Sequence, residues 1–98
     1  MSSPIARILH FSFETAEDLN LWVMKYETET SELGKEAIQR TLIKTDETSL
    51  VICNIYRNEE DADNVFERLS KWSGTVKAAR TWESFNLTGE VVFSEPKY

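Results

Sequence analysis

The stretch from Val51 to Leu69, VICNIYRNEEDADNVFERL, decides the fold of this chain. Its first part is rich in β-branched and aromatic residues, which suit a pleated, buried strand. Asn58 can cap a helix, and the acids at 59–61 complement the positive charge of a helix start. An apolar stripe at helical spacing then completes the unit: Ala62, Val65, Phe66 and Leu69. The stretch therefore predicts a strand, a cap and an amphipathic helix.

The same unit occurs earlier in the chain, displaced by 43 residues, so that Ile8 aligns with Val51 and Thr15 with Asn58. Its strand is Ile5–Phe13, and its helical stripe comprises Leu19, Trp22, Val23 and Tyr26. A further strand candidate follows each helix, at Ala37–Thr45 and at Thr75–Leu87. The predicted order is βαββαβ, a ferredoxin-like α+β fold with an antiparallel sheet. Right-handed crossovers place both helices on one face.

The length of 98 residues allows one domain, spanning 1–98, with its core at about 5–93. Thr88-Gly89 is a turn signal, and Glu90–Phe93 is predicted to form a short extra strand. The sequence has no apolar run long enough to span a bilayer and no signal-peptide pattern, so we expect a cytoplasmic protein that does not enter a membrane.

The charge balance narrows the choice of partners. Eleven basic and seventeen acidic residues give a net charge of −6, which repels phosphate backbones and argues against nucleic-acid binding. The single cysteine, Cys53, excludes an intramolecular disulfide, and one histidine with one cysteine offers no metal-binding cluster. We therefore expect neither a metal nor a nucleic-acid partner.

Both faces of the central strands are predicted to be covered. No charged residue lies between Ile8 and Phe13 or between Leu50 and Tyr56, whereas a sheet with one solvated face alternates apolar with charged residues. The two helices cover only one face, and a chain of this length has nothing left for the other. We expect a second copy of the chain to cover it, which makes the protein a homodimer.

This pattern, with the segment IYRNEEDADNVFERLSKW, resembles the dimeric α+β barrel superfamily and, within it, the antibiotic-biosynthesis-monooxygenase-like proteins. The resemblance covers residues 5–93 by pattern. It implies two sheets packed face to face, with a C-terminal segment such as GEVVFSEPKY reaching over the partner. It also implies a small, often aromatic ligand bound between sheet and helices, and oxidation of some such ligands without metal or flavin. We accordingly expect no cofactor. Haem-degrading relatives carry a ligating histidine on the second helix, which this chain lacks.

Asn54 is the one amide in an apolar strand, and a buried amide needs a hydrogen-bond partner. It either bonds to a neighbouring side chain or across the dimer, or it donates to a ligand carbonyl and stabilises an enolate-like charge. His10, the only histidine, is a structural residue of the first strand or a general base. The sequence leaves open whether His10 and Asn54 share a face, because a one-residue shift in strand register reverses the answer.

Tyr56 and Trp82 are the predicted ligand-pocket residues, whereas Trp22 and Trp72 lie on helical stripes and are predicted to be core. Two hypotheses follow. The first is a cofactor-independent oxidase, monooxygenase or isomerase for a small aromatic or conjugated molecule, in which His10 removes a proton and Asn54 holds the oxyanion. The second is a non-catalytic homodimer that binds a small ligand or a protein. An enclosed cavity with His10 inside it would favour the first hypothesis.

Overall fold

The structure is a computed structural model that describes residues 4–76 and 80–95, with side chains described throughout these ranges except at 80–86. Six elements follow one another in the order β1 (Ile5–Phe13), α1 (Ala16–Glu29), β2 (Gln39–Asp46), β3 (Ser49–Tyr56), α2 (Glu59–Ser73) and β4 (Arg80–Glu90). The four strands form one antiparallel sheet in the order β2-β3-β1-β4. The predicted βαββαβ ferredoxin-like architecture is therefore confirmed.

Both helices begin at the predicted caps. The Thr15 hydroxyl accepts a hydrogen bond from the Asp18 N–H at 3.1 Å, and the Asn58 side chain accepts one from the Asp61 N–H at 2.8 Å. Each cap satisfies one of the N–H groups that the first helical turn leaves without an internal partner. The two halves of the chain thus use the same device at corresponding positions.

The core lies between the sheet and the helices. In β3 every second residue is buried: Leu50, Ile52, Asn54 and Tyr56. Phe11 and Phe13 of β1 lie on the same face, where they pack with Leu19 and Trp22 of α1 and with Trp72 of α2. This packing puts both helices on one face of the sheet, as the crossover rule predicts. Trp22 and Trp72 belong to the core, as predicted.

The C-terminal part differs from the prediction. β4 begins at Arg80 and runs without interruption to Glu90, so Thr88-Gly89 is not a turn. Residues 91–93 do not form the predicted extra strand. Both Thr88 and Gly89 pair with β1, opposite Arg7 and Ala6, and the pairing keeps them extended. Just beyond the strand, the Val91 N–H donates to the Pro4 carbonyl at 2.8 Å.

No helix in the described part of the chain has both the length and the apolar character needed to cross a membrane.

Candidate functional site

A small cavity lies between the sheet and the two helices. Its volume is about 30 Å³, and its wall includes Arg7, Trp22, Tyr26, Asn54, Tyr56 and Trp72. A space of this size holds water and is too small for an aromatic ring. Phe66 and Leu69 of α2 also line it and are only partly buried.

Asn54, the one amide in its apolar strand, lies on the helix-facing side of β3, and only 3% of it is exposed. Its Nδ2 donates to the Tyr56 hydroxyl at 3.2 Å, two residues along the same strand face. Its Oδ1 has no partner among the described residues. The amide is therefore partly satisfied by a neighbour, as the structural interpretation expected, and still has hydrogen-bonding capacity beside the cavity.

The Tyr56 hydroxyl is held in its protonated form. Burial raises the pKa of this hydroxyl above its ordinary value, and the bond with Asn54 opposes that shift only in part. A protonated hydroxyl can either accept from the Asn54 amide or donate to it. Asn54 and Tyr56, both predicted site residues, therefore form one polar pair in the cavity wall.

Two further polar groups beside the cavity have no partner in the described structure: Trp22 Nε1 and the Tyr26 hydroxyl. Their rings stack at a centroid distance of 5.0 Å, and Trp72 meets both rings edge-on at 5.5 and 5.8 Å. The wall thus combines an aromatic surface, which suits a flat conjugated ligand, with N–H and O–H donors that suit a ligand with carbonyl or hydroxyl oxygens.

Two arginines flank Asn54 in one row across the sheet. Arg7 of β1 and Arg40 of β2 are both directly opposite Asn54 in the strand register. Cross-strand neighbours project to the same face with Cβ atoms about 5 Å apart. Arg7 also donates to Asp63 of α2 at 2.5 Å. Sequence reasoning missed both arginines, although Arg7 shares its strand face with Leu9, Phe11 and Phe13, which makes it a charged residue on a core face.

Arg40 is fixed by contacts outside the cavity. Its two terminal nitrogens donate to the carbonyl and the hydroxyl of Thr30, at 3.1 and 2.6 Å, and its guanidinium lies 4.7 Å from the Tyr26 ring centroid. Gly34 makes room for it, since a Cβ at that position would lie 2.8 Å from Arg40 Cζ. Arg40 therefore contributes its charge to the row from behind the Tyr26 ring.

The other predicted catalytic residue, His10, lies elsewhere. It pairs with Val51 of β3, and both belong to the sheet face that points away from the helices. His10 and Asn54 are therefore on opposite faces, and His10 does not line the cavity. The predicted pocket residue Trp82 pairs through its backbone with Phe11, but its side chain lies outside the described residues.

The described cavity wall contains no carboxylate and no imidazole. Within residues 4–76 and 80–95, no cluster of three or more His, Cys, Asp or Glu side chains is suited to hold a metal ion. This wall offers hydrogen-bond donors, the positive charge of Arg7 and the acceptor Asn54 Oδ1, which has no described partner.

No family model and no curated protein matches the sequence. Solved structures do match the fold. A dimeric ferredoxin-like protein from an uncultured marine organism superposes with a TM-score of 0.69 at 17% identity, over 92% of this chain and 96% of the other. SnoaB, a cofactor-independent oxygenase from Streptomyces nogalater, gives 0.66 at 11% identity, over 98% and 100%.

A monooxygenase from the gene ActVA-Orf6 of Streptomyces coelicolor, solved in complex with the ligand nanaomycin D, also gives a TM-score of 0.66 at 11% identity. The match covers 95% of this chain and 90% of that one. Likeness at such low identity establishes a shared fold and not a shared activity. The resemblance predicted from the sequence is confirmed at the level of the fold: this chain has the ferredoxin-like fold of the antibiotic-biosynthesis-monooxygenase-like proteins.

Proposed function

We propose that this chain is a monooxygenase-like protein that binds a small aromatic or conjugated molecule between sheet and helices and oxidises or isomerises it without a cofactor. One observation carries the proposal. Three buried polar groups without a described partner border the same aromatic-walled cavity: Asn54 Oδ1, Trp22 Nε1 and the Tyr26 hydroxyl. Unpaired buried polar groups cost free energy, so they are uncommon in proteins unless a ligand or water completes them.

The donors suit a ligand in which negative charge develops on oxygen. Loss of a proton to solvent water from a carbon between a conjugated ring and a carbonyl group produces an enolate. The enolate oxygen would accept hydrogen bonds from the second Nδ2 hydrogen of Asn54 and from the Tyr56 hydroxyl. In the oxidative version the CH2 group and O2 become C=O and H2O, with O2 as the electron acceptor. The ligand itself has to be acidic, because the described wall offers no carboxylate or imidazole as base.

The second candidate, a non-catalytic ligand-binding dimer, is favoured by two observations. The cavity of about 30 Å³ has to open before a ring can enter, and His10 lies on the far side of the sheet. Both candidates share the binding site and differ only in turnover.

In either case we propose that a second copy of the chain covers the outer sheet face. That face carries the apolar side chains Ile8, Ile43, Val51, Cys53, Ile55 and Leu87. Ile43 and Leu87 are about half exposed, and Val92 and Phe93 in the C-terminal segment are 89% and 75% exposed. Exposed apolar surface of this extent marks an interaction site, and an arm that reaches over the partner would bury Val92 and Phe93.

The test is a panel of bicyclic and tricyclic conjugated ketones and phenols, added to the wild type and to Asn54→Ala. Thermal stabilisation reports binding, and an oxygen electrode with mass spectrometry of the product reports turnover. The proposal expects at least one compound to stabilise the wild type more than Asn54→Ala and to be oxidised or isomerised. Binding without turnover would establish the second candidate, and absence of binding across the panel would refute both.

A further inference from the structure

Arg7 is the only charged side chain among the described residues that line the cavity. Only 18% of its side chain is exposed, and its Nε is buried without a described partner. A guanidinium is a cation that presents five N–H donors in a fixed planar arrangement. The cavity therefore has a positive group in its wall with donors to spare.

The charge of Arg7 is balanced from the solvent side. Its described ion-pair partner, Asp63, is 68% exposed and lies on the second turn of α2. An ion pair with one solvated member contributes little and exchanges readily with other ions. Asp63 can thus neutralise the charge of Arg7 in the ligand-free protein, and an anionic ligand in the cavity can replace it as the ion-pair partner.

Arg40 adds a second positive charge to the same row. Among the described residues no carboxylate lies within 4.0 Å of it, and its terminal nitrogens donate to Thr30. Glu27 borders the same open groove as Arg40 without forming an ion pair with it. Arg7 and Arg40 therefore flank Asn54. Of these two arginines only Arg7 has a described carboxylate partner, the exposed Asp63.

From these contacts we propose that the cavity selects a ligand with an ionised oxygen, a carboxylate or a phenolate attached to the conjugated system, and that Arg7 is the residue that determines this specificity. This inference rests on the proposed binding of a conjugated molecule and specifies that the bound molecule is negatively charged. An ionised oxygen would accept charge-assisted hydrogen bonds from Arg7, and the uncharged donors Trp22 Nε1 and the Tyr26 hydroxyl, which have no described partner, would complete its coordination. Acceptor-rich neutral molecules of the same shape would bind more weakly.

A structural role for Arg7 would have different consequences. The arginine stem covers apolar surface while the head reaches Asp63, and such an arrangement stabilises a protein without any ligand. In that case removal of Arg7 would lower the stability of the fold and would not change the preference between charged and uncharged ligands. The two roles are therefore separable by a matched pair of ligands.

The experiment is isothermal titration calorimetry with cinnamate and with cinnamamide, which share one shape and differ in charge. The wild type is expected to bind cinnamate at least about tenfold more tightly than cinnamamide. Arg7→Gln should bring the two affinities close together, and Arg40→Gln should reduce the difference by a smaller factor. Arg57→Gln, which removes an exposed positive charge outside the cavity, is the control and should leave the difference unchanged.

Asp63→Asn provides a test in the opposite direction. Loss of the competing carboxylate should tighten cinnamate binding about two- to fivefold without affecting cinnamamide. Glu60→Gln removes the same charge from an exposed position in the first turn of α2 and should have no such effect. Asp63→Asn also keeps the test informative if Arg7→Gln does not fold, which circular dichroism would reveal.

Equal affinity of the wild type for both probes would refute the charge selectivity and leave the proposed function intact. A preference for cinnamate that survives in Arg7→Gln would refute the role of Arg7. Binding of neither probe at millimolar concentration would refute the selectivity for a conjugated carboxylate, whereas the proposed function is refuted only if the panel of bicyclic and tricyclic compounds also fails to bind.

Discussion

Asn54 and Tyr56 are joined by a hydrogen bond of 3.2 Å on the buried face of β3, and both side chains border the cavity between sheet and helices. Asn54→Ala leaves the buried Tyr56 hydroxyl without this partner, and we expect it to lower the free energy of unfolding by about 1–3 kcal/mol. Urea denaturation measures the loss. In a double-mutant cycle with Tyr56→Phe, the double variant should lose less than the sum of the two single variants. Strict additivity would show that the bond contributes nothing.

Tyr56 also makes stability depend on alkaline pH. Burial raises the pKa of its hydroxyl in the folded state above the ordinary value of 10.0. A raised folded pKa means that the stabilisation is complete below the unfolded pKa and is lost as the pH rises through the folded pKa. We therefore expect the urea midpoint to fall above about pH 10. Tyr56→Phe should show a smaller fall, and an equal fall in both proteins would contradict this assignment.

His10→Ala should leave ligand binding unchanged within about twofold, because His10 is on the sheet face that points away from the cavity. The measurement is the calorimetric affinity for whichever conjugated ligand the wild type binds, with Asn54→Ala as the variant expected to lose affinity. If His10→Ala abolished binding or turnover while the protein stayed folded, the assignment of the pocket to the helix-facing side would be wrong.

The outer face can be tested by a charge placed at its centre. Val51→Lys puts an ammonium group where we propose that a second copy packs, and burial of an unpaired charge is costly. Sedimentation velocity should show a dimer for the wild type and a monomer for Val51→Lys. Met24→Lys, at a side chain that is 54% exposed on α1, should remain dimeric. A wild type that sediments as a monomer at micromolar concentration would refute the dimer.

The α2 cap gives a stability prediction that is independent of any ligand. Asn58→Ala removes the acceptor of the Asp61 N–H and should lower the free energy of unfolding by about 1 kcal/mol. Asn64→Ala, at an exposed position in the middle of the same helix, should be neutral or slightly stabilising because alanine is the better helix former. Equal losses at 58 and 64 would show that the cap has no special role.

The fold could be predicted because the sequence is locally consistent. An apolar strand, a cap residue and an amphipathic helix follow one another around Thr15 and again around Asn58. The repeat predicts the same strand–helix unit in both halves of the chain. The C-terminal strand was less predictable. Its Thr88-Gly89 pair has the composition of a turn, but pairing with β1 outweighs that local preference.

Two of the residues that line the cavity were singled out from the sequence. Asn54 stood out because an amide is unusual in an apolar strand, and Tyr56 follows it on the same face. The placement of His10 relative to Asn54 depends on strand register, which a pattern of apolar residues on both faces cannot fix. The arginine row depends on register as well, since Arg7, Asn54 and Arg40 are far apart in sequence and meet only through the pairing of three strands.

The strict alternation of β3 has a consequence for how this protein tolerates change in length. Odd-numbered side chains of the strand serve the proposed assembly surface and even-numbered ones serve the core and cavity. Insertion or deletion of one residue in the tight connection at Glu47-Thr48 could slip the strand by one position and exchange the two sets. Asn54 would then face the partner chain, and Val51 and Cys53 would face the helices. Indels at this hairpin should therefore be far more damaging than substitutions at its exposed tip.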